Sequence, residues 1–158
     1  MLVPIHTALG VIALIAGAWN LLTQKGTPLH RQMGWVYVTT MTGLLATSFF
    51  IFDLFGSFGP FHAMSLVSGA TLGLAVYFPL RRDHHEHWLE HHYMWITWSY
   101  VGLVMATGSH FFAYGPPGWP AWARALLYWG LPCALGATLI YGWRAEMLRR
   151  FASANESG

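Results

Sequence analysis

Residues 1–24 read MLVPIHTALGVIALIAGAWNLLTQ and contain no Asp, Glu, Lys or Arg. An apolar stretch of about 18 residues or more is long enough to cross a bilayer as an α-helix. Four further charge-free stretches follow, at residues 32–52, 54–80, 91–123 and 125–143. Of the 158 residues, 9% are charged and 55% are hydrophobic, whereas about 25% of a typical soluble domain is charged. The pattern predicts an integral membrane protein and excludes a soluble enzyme, a nucleic-acid-binding protein and a disordered chain.

The predicted fold is an all-α bundle of five transmembrane helices. Spans of about 20 residues match a hydrocarbon core of roughly 30 Å. The predicted spans are residues 2–22, 34–55, 62–80, 93–113 and 121–141. We expect residues 1–150 to form a single transmembrane domain and the small, polar residues 151–158 to form a disordered tail. The single cysteine, Cys133, excludes a disulfide within the chain.

The positive charges predict the orientation of the bundle. Lys25 and Arg31 separate the first two spans, Arg81 and Arg82 separate the third and fourth, and three more arginines follow the fifth. Because cytoplasmic loops carry an excess of Lys and Arg, we expect the N-terminus outside and the C-terminus in the cytoplasm. Arg124, near the outer end of the fifth span, is the exception.

Three of the nine histidines, His6, His62 and His110, are predicted near the outer ends of three spans. Asp53 ends the second span on the same side. Neutral imidazole binds transition metals and haem iron, and such a residue within a span is a functional hypothesis by default. His6 and His62 are candidate axial ligands of a haem. Alternatively, all three histidines and Asp53 hold one metal ion. Without a cofactor, these histidines would bind water and backbone groups at the interface.

A second group of histidines lies on the predicted cytoplasmic side. His30 precedes the second span and His92 opens the fourth, so the two are candidate ligands of a haem. Arg31, next to His30, is a candidate partner for a propionate. The 18 residues from His92 to His110 correspond to about 27 Å of helix, which places this pair near the opposite membrane surface.

The segment 83–92 reads DHHEHWLEHH and contains five of the nine histidines. If it were helical, His84, His87 and His91 would share one face. The other interpretation is a solvated loop with incidental affinity for metals.

Three short motifs surround these histidines: HRQMGWVY at residues 30–37, FH at residues 61–62 and HxxWxxxSY at residues 92–100. Together they resemble DUF2306, a family of uncharacterised bacterial membrane proteins, over residues 6–110. The chain has Ile96 and Trp98 where the family pattern has Met and Arg, and His110 where an arginine is expected. The additional histidine favours a bare metal ion. The resemblance implies a multi-pass protein of the bacterial inner membrane, and the layered histidines are similar to those of small dihaem b-type membrane cytochromes.

The first functional hypothesis is therefore a b-type haem protein that transfers electrons, with a quinone or another redox carrier as its partner. The alternative is a mononuclear Zn, Cu or Fe site that serves a membrane hydrolase or oxidase, or metal handling. A third is a transporter or assembly subunit whose histidines relay protons or metal ions. Whether the protein is an enzyme and which oligomer it forms are left open by the sequence.

Overall fold

The structure, a computed structural model, describes residues 2–52 and 56–156, and all its regular elements within those ranges are helical. The long helices are α1 (Leu2–Leu22), α2 (Pro28–Ser48), α3 (Pro60–Leu80) and α4 (Trp88–His110). The last helix begins as α5 (Ala121–Ala125), passes through a π-helical turn (Leu126–Gly130) and continues as α6 (Leu131–Glu156). The prediction of an all-α chain is confirmed.

Among the described residues, three helical segments are long and apolar enough to cross a membrane: α1, α3 and residues Ala121–Arg149 of the last helix. Large apolar side chains on these helices face outward, since Leu22 is 87% exposed and Ile15 is 62% exposed. Such exposure suits a surface that is solvated by lipid tails rather than by water.

Helix α2 is less apolar because it is rich in threonine, but its hydroxyl groups bond to its own backbone. Hydroxyl groups that donate to carbonyls one turn earlier do not have to be hydrated. The donor–acceptor pairs, at 2.7–2.8 Å, are Thr39 to Trp35, Thr40 to Val36 and Thr42 to Val38.

The predicted bounds of the second span are wrong at both ends, since α2 begins at Pro28 rather than residue 34 and ends at Ser48 rather than residue 55. Thr27 caps the helix, with its hydroxyl accepting from the backbone N–H of His30 at 3.1 Å. Pro28 suits the first helical turn, where no intrahelical N–H bond is lost. Consequently His30 lies within α2 instead of preceding it.

The beginning of α4 also differs from the prediction. The segment 83–92 is not one helix, because it is divided between a 3₁₀ turn at Arg82–His84 and the beginning of α4 at Trp88. His92 therefore lies in the second turn of α4 rather than opening it. At the other end of the chain, α6 continues to Glu156. Within this helix the side chains of Arg149 and Glu146, three residues apart, form an ion pair at 2.7 Å.

The contacts divide the chain into two compact units, residues 1–74 and residues 75–158. In the first, α1 packs on α2 around small residues, with Gly43 close to the side chain of Leu9. In the second, α4 packs on α6, where the side chain of Val101 leaves no room for a Cβ on Gly136. Small residues at such contacts let helix backbones approach closely. The buried apolar side chains of the two units are Ala13, Ala16, Tyr37, Met41, Leu44 and Leu72 in the first, and Ala75, Val101, Leu103 and Ile140 in the second.

Candidate histidine sites

His62, in the first turn of α3, is the most enclosed of the predicted site residues that the structure describes, with 4% of its surface exposed. Its imidazole ring is stacked on two phenyl rings, with centroid distances of 5.0 Å to Phe52 and 4.9 Å to Phe58. Phe49 lies further away at 6.3 Å and is tilted. The environment of the ring is therefore mainly aromatic and apolar.

The hydrogen bonding of His62 determines which ring nitrogen carries the proton. The backbone N–H of Gly59 points at Nδ1 over 3.1 Å, and an N–H can only donate, so Nδ1 is an acceptor without a proton. In neutral imidazole the proton is then on Nε2. Nε2 is buried and has no hydrogen-bond partner among the described residues. A buried donor left unpaired costs about 1–3 kcal/mol.

In His6, which lies in α1, the proton is on the other ring nitrogen from that of His62. Its Nδ1 lies 2.9 Å from the hydroxyl of Thr47 in α2. That hydroxyl is also 2.9 Å from the carbonyls of Gly43 and Leu44. Because a carbonyl can only accept, the hydroxyl proton points to the backbone, and Oγ1 accepts from Nδ1–H of His6. Nε2 of His6 then has the lone pair, which is the usual state of a histidine that ligates through Nε2.

His6 and His62 lie at the same end of the first unit, as predicted. The contact of His6 with Thr47 joins the beginning of α1 to the end of α2. The neighbouring hydroxyl of Ser48 bonds to that of Ser65 at 2.8 Å and joins the end of α2 to the beginning of α3. Three helix ends are thus connected by side-chain hydrogen bonds, and two of these helices each contribute a histidine.

His92, in α4, has its proton position fixed by a backbone carbonyl. Its Nδ1 is 2.7 Å from the carbonyl oxygen of Ala75 in α3. In a regular helix this carbonyl would accept from the N–H four residues later, but that residue is Pro79, which has no N–H. Nδ1–H of His92 takes the vacant position, and Nε2 is left with the lone pair.

Lys25, between α1 and α2, and Arg31, near the beginning of α2, have different surroundings. The ammonium group of Lys25 donates to the carbonyls of Asn20, Leu21 and Thr23, at 2.9 Å and 3.0 Å for the last two. It thereby caps the end of α1, where carbonyls lack helical partners, and its burial lowers the pKa of this group. Arg31 is exposed in the first turns of α2, where a negatively charged group can approach it.

The other candidates are less enclosed or lie outside the described residues. His110 ends α4 and is exposed. Asp53 falls outside the described residues. In the segment 83–92, His85 bonds to the hydroxyl of Tyr77 at 3.3 Å, and His91 stacks on Phe78 at 4.5 Å. Among the described residues no group of three or more His, Cys, Asp or Glu side chains is placed to hold a metal ion.

The predicted ligand sets are divided between the two units. His6, His30 and His62 lie in residues 1–74, whereas His92 and His110 lie in residues 75–158. The pair His30–His92 and the three-histidine site with Asp53 therefore stay predictions.

The three motifs at residues 30–37, 61–62 and 92–100 all lie within a region that matches a known family model. Residues 3–116, which cover α1 to α4 and the turn that follows, match the family model DUF2306, described as a predicted membrane protein. The chain belongs to the DUF2306 family. No curated protein and no solved structure matches it. The family match ends before α5, so the last helix of this DUF2306 protein lies beyond the matched region.

Sequence reasoning identified the histidines of this DUF2306 protein but missed the groups that fix their protons. Thr47 lies within the predicted second span, and Gly59 lies between the predicted second and third spans. Pro79 carried a usable signal, because a proline within an apolar helix frees the carbonyl four residues earlier. That carbonyl belongs to Ala75, and it marks where a donor from another helix is needed.

Proposed function

We propose that the protein is a b-type haem protein of the bacterial inner membrane that transfers electrons, with His92 as an axial ligand. The observation that carries the proposal is the hydrogen bond from Nδ1 of His92 to the carbonyl that Pro79 leaves free. An acceptor at Nδ1 fixes the tautomer and orientation of a ligating histidine and increases its basicity.

The donor set around His92 suits a haem better than a bare ion. Porphyrin supplies four nitrogens, so a haem iron needs only one or two ligands from the protein. Arg81 and Arg82 follow α3 directly and are exposed. They lie six and seven residues beyond Ala75, whose carbonyl binds His92, and they are suitable partners for propionates. His30 with Arg31 is the second ligand and cation suggested by the sequence.

A bound haem would supply a reversible one-electron couple. The chain's own contribution is to hold Nε2 of His92 unprotonated and oriented, since Nδ1 stays on the Ala75 carbonyl. Burial of the ligand side chain and the neighbouring arginines are the factors by which the protein would adjust the potential. A quinone or another redox carrier is the proposed partner.

The second candidate function is a single Zn, Cu or Fe ion bound through His6. The observation that favours it is the Thr47 hydroxyl, which holds Nδ1–H of His6 and leaves Nε2 as the lone-pair nitrogen. His62 does not fit as an Nε2 ligand in the tautomer that Gly59 requires. The proposed ion would therefore need ligands other than His62.

We further propose that α2 and α4 cross the membrane together with the three apolar helices, with the N-terminus outside. The support is their length, 21 and 23 residues, and the distribution of Lys and Arg. A reporter enzyme that is active only in the cytoplasm, fused after Gly158, should be active, and the same reporter fused at the N-terminus should be inactive. The reverse result would refute the orientation.

The haem proposal is tested by absorption spectra of the purified full chain, expressed with a haem precursor and measured oxidised and then dithionite-reduced. We expect a Soret band, and α and β bands that sharpen on reduction. In His92→Asn the amide nitrogen can still donate to the Ala75 carbonyl, but the ligand nitrogen is gone. This variant should lose about tenfold or more of the bound haem, which corresponds to about 1.4 kcal/mol of binding free energy.

The matched control is His91→Asn, which changes the adjacent histidine that stacks on Phe78. It should retain wild-type haem content. A flat visible spectrum of the wild type would refute the haem proposal, and elemental analysis of the same sample would then test the metal alternative. Equal haem in His92→Asn and wild type would refute the assignment of His92.

A further inference from the structure

Arg124, in α5, is a cation that has no acidic partner among the described residues. None of the ion pairs that these residues form includes Arg124. Its Nε is buried without an acceptor, and the hydrogen bond from its Nη1 to the carbonyl of Phe112 is long, at 3.5 Å. The sequence contains no Asp or Glu between Glu90 and Glu146. Because a partly buried charge is costly without a counter-charge, the surroundings of Arg124 favour the binding of an anion.

The side chain of Arg124 is held in place by a glycine in the turn that follows α4. Its Cγ, Cδ and Nε lie so close to Gly115 that a Cβ there would collide with them. The backbone does not require this glycine, since its φ of −58° is a value that any residue adopts. The missing side chain at Gly115 instead makes room for the arginine. Arg124 is nevertheless only half-buried, so a ligand can reach it.

An apolar groove lies beside Arg124 on the same helix. The backbone N–H of Arg124 donates to the carbonyl of Pro120 at 3.3 Å, which places the arginine one helical turn from a residue that lines the groove. The groove is open to the outside and has a volume of about 510 Å³, and it is lined by Trp119, Pro120, Trp122, Ala123, Leu126 and Leu127.

The position of the groove along the helix indicates the level of the lipid headgroups. The candidate membrane span Ala121–Arg149 begins within it. Trp119 and Trp122 are exposed, and tryptophan is enriched where a protein crosses the interface between membrane and water. A lipid molecule can therefore enter the groove directly from the bilayer.

We propose that Arg124 and the neighbouring groove bind one anionic phospholipid, with its phosphate on the guanidinium and an acyl chain in the groove. The planar guanidinium donates two parallel hydrogen bonds to a phosphate group. A free phosphate would use only the cation, and a zwitterionic lipid brings a positive charge of its own towards Arg124. An anionic lipid satisfies both the charge and the apolar groove, and its binding does not depend on a haem at His92.

Three substitutions separate the two parts of the site. Arg124→Gln removes the charge and keeps a polar side chain. Gly115→Ala keeps the arginine but displaces its stem. Ala123→Phe fills the groove. The control for loss of a positive charge elsewhere is Arg149→Gln, because Arg149 pairs with Glu146 in the same helix.

The experiment is native mass spectrometry of the full chain in detergent micelles. It is titrated with dioleoylphosphatidylglycerol, with dioleoylphosphatidylcholine, which has the same acyl chains, and with sodium phosphate. We expect the wild type to bind the first phosphatidylglycerol about tenfold more tightly than phosphatidylcholine, as for one charge-assisted hydrogen bond, and to bind phosphate more weakly than either lipid. Arg124→Gln and Gly115→Ala should lose the preference for phosphatidylglycerol, Ala123→Phe should bind both lipids more weakly, and Arg149→Gln should match the wild type.

Three results of the titration would overturn the inference. Equal affinity of the wild type for the two lipids would mean that the groove is covered by bulk lipid only. An unchanged preference in Arg124→Gln would remove the guanidinium from the site. Phosphate binding as tight as that of phosphatidylglycerol, with no effect of Ala123→Phe, would remove the groove and leave an anion site for free phosphate.

Thermal unfolding separates lipid binding from a purely structural role of the arginine. In micelles without added lipid, Arg124→Gln should unfold at the wild-type midpoint or above it, because the arginine lacks a partner there. Phosphatidylglycerol should raise the midpoint of the wild type but not of the variant, since a ligand stabilises only the folded state that binds it. A lower midpoint of the variant without lipid would show that Arg124 stabilises the fold itself and would contradict the proposal.

Asp53 provides the last control. It is the acidic residue that the sequence predicts on the same side of the membrane as Arg124, and it lies outside the described residues. Asp53→Asn should leave the affinity for phosphatidylglycerol unchanged. A gain in affinity would show that this carboxylate neutralises Arg124 in the wild type, and the inference would then be wrong.

Discussion

His62 lies at the beginning of α3, and His92 binds a carbonyl near the end of the same helix. In these two enclosed histidines the proton is on different ring nitrogens. At the beginning of the helix, a backbone N–H of Gly59 donates to Nδ1 of His62. Near the end, Nδ1 of His92 donates to a backbone carbonyl, that of Ala75. Nε2 therefore carries the proton in His62 and the lone pair in His92.

The difference arises from the backbone groups that a helix leaves unpaired. The first N–H groups of a helix have no intrahelical acceptor, and Gly59 directly precedes α3, which begins at Pro60. Near the other end, Pro79 removes the N–H that Ala75 would have received. A histidine beside a free N–H carries its proton on Nε2, and a histidine beside a free carbonyl carries its lone pair on Nε2.

The largest expected effect is on stability, from His62→Ala. The variant loses two stacked ring contacts, leaves a cavity between Phe52 and Phe58, and leaves the N–H of Gly59 unpaired. We expect a loss of about 3 kcal/mol in the free energy of unfolding, as for other removals of a buried ring. Equilibrium unfolding in mixed detergent micelles measures it.

The control for this substitution is His110→Ala, at the exposed end of α4. It should change the unfolding free energy by no more than about 0.5 kcal/mol. If both substitutions have equally small effects, His62 is not packed between the two rings, and the contrast with His92 loses its structural basis.

The next largest expected effect is on the tautomer ratio of His92, and Pro79→Ala tests it. An alanine supplies the N–H that Ala75 lacks, so Nδ1–H of His92 must share the carbonyl. Weakening this bond by about 1 kcal/mol changes the ratio of the two neutral tautomers about fivefold. Nitrogen NMR of ¹⁵N-histidine-labelled protein, with His92 assigned by substitution, measures the ratio.

Pro60→Ala is the matched control, because Pro60 lies at the first position of α3, where its missing N–H has no helical partner to lose. The tautomer of His92 should be unchanged in this variant. An unchanged tautomer in Pro79→Ala as well would show that the freed carbonyl does not control His92.

Much of the fold could be predicted from sequence because charge-free stretches of helix length are a direct signal of membrane helices. The second span was misplaced because its apolar pattern begins at Gly34, whereas the cap formed by Thr27 and Pro28 starts the helix earlier. Among the candidate site residues, histidines could be found by residue type. The proton positions of His6 and His92 could not, because these depend on Thr47 and Ala75, which come close only after the helices pack.

The smallest expected effect tests whether Nδ1 of His6 carries the proton, as in His92 and unlike His62. Thr47→Val keeps the branched shape of the side chain but removes the oxygen that accepts from Nδ1–H of His6. Thr40→Val is the control, because the Thr40 hydroxyl bonds to the carbonyls of Val36 and Tyr37 in its own helix. Thr47→Val should therefore be about 1 kcal/mol less stable than Thr40→Val, as measured by unfolding in mixed micelles, and the Nδ1–H fraction of His6 should fall only in Thr47→Val. If the fraction is the same in both variants, the hydroxyl does not select the tautomer, and the metal-binding alternative at His6 loses the observation that favours it.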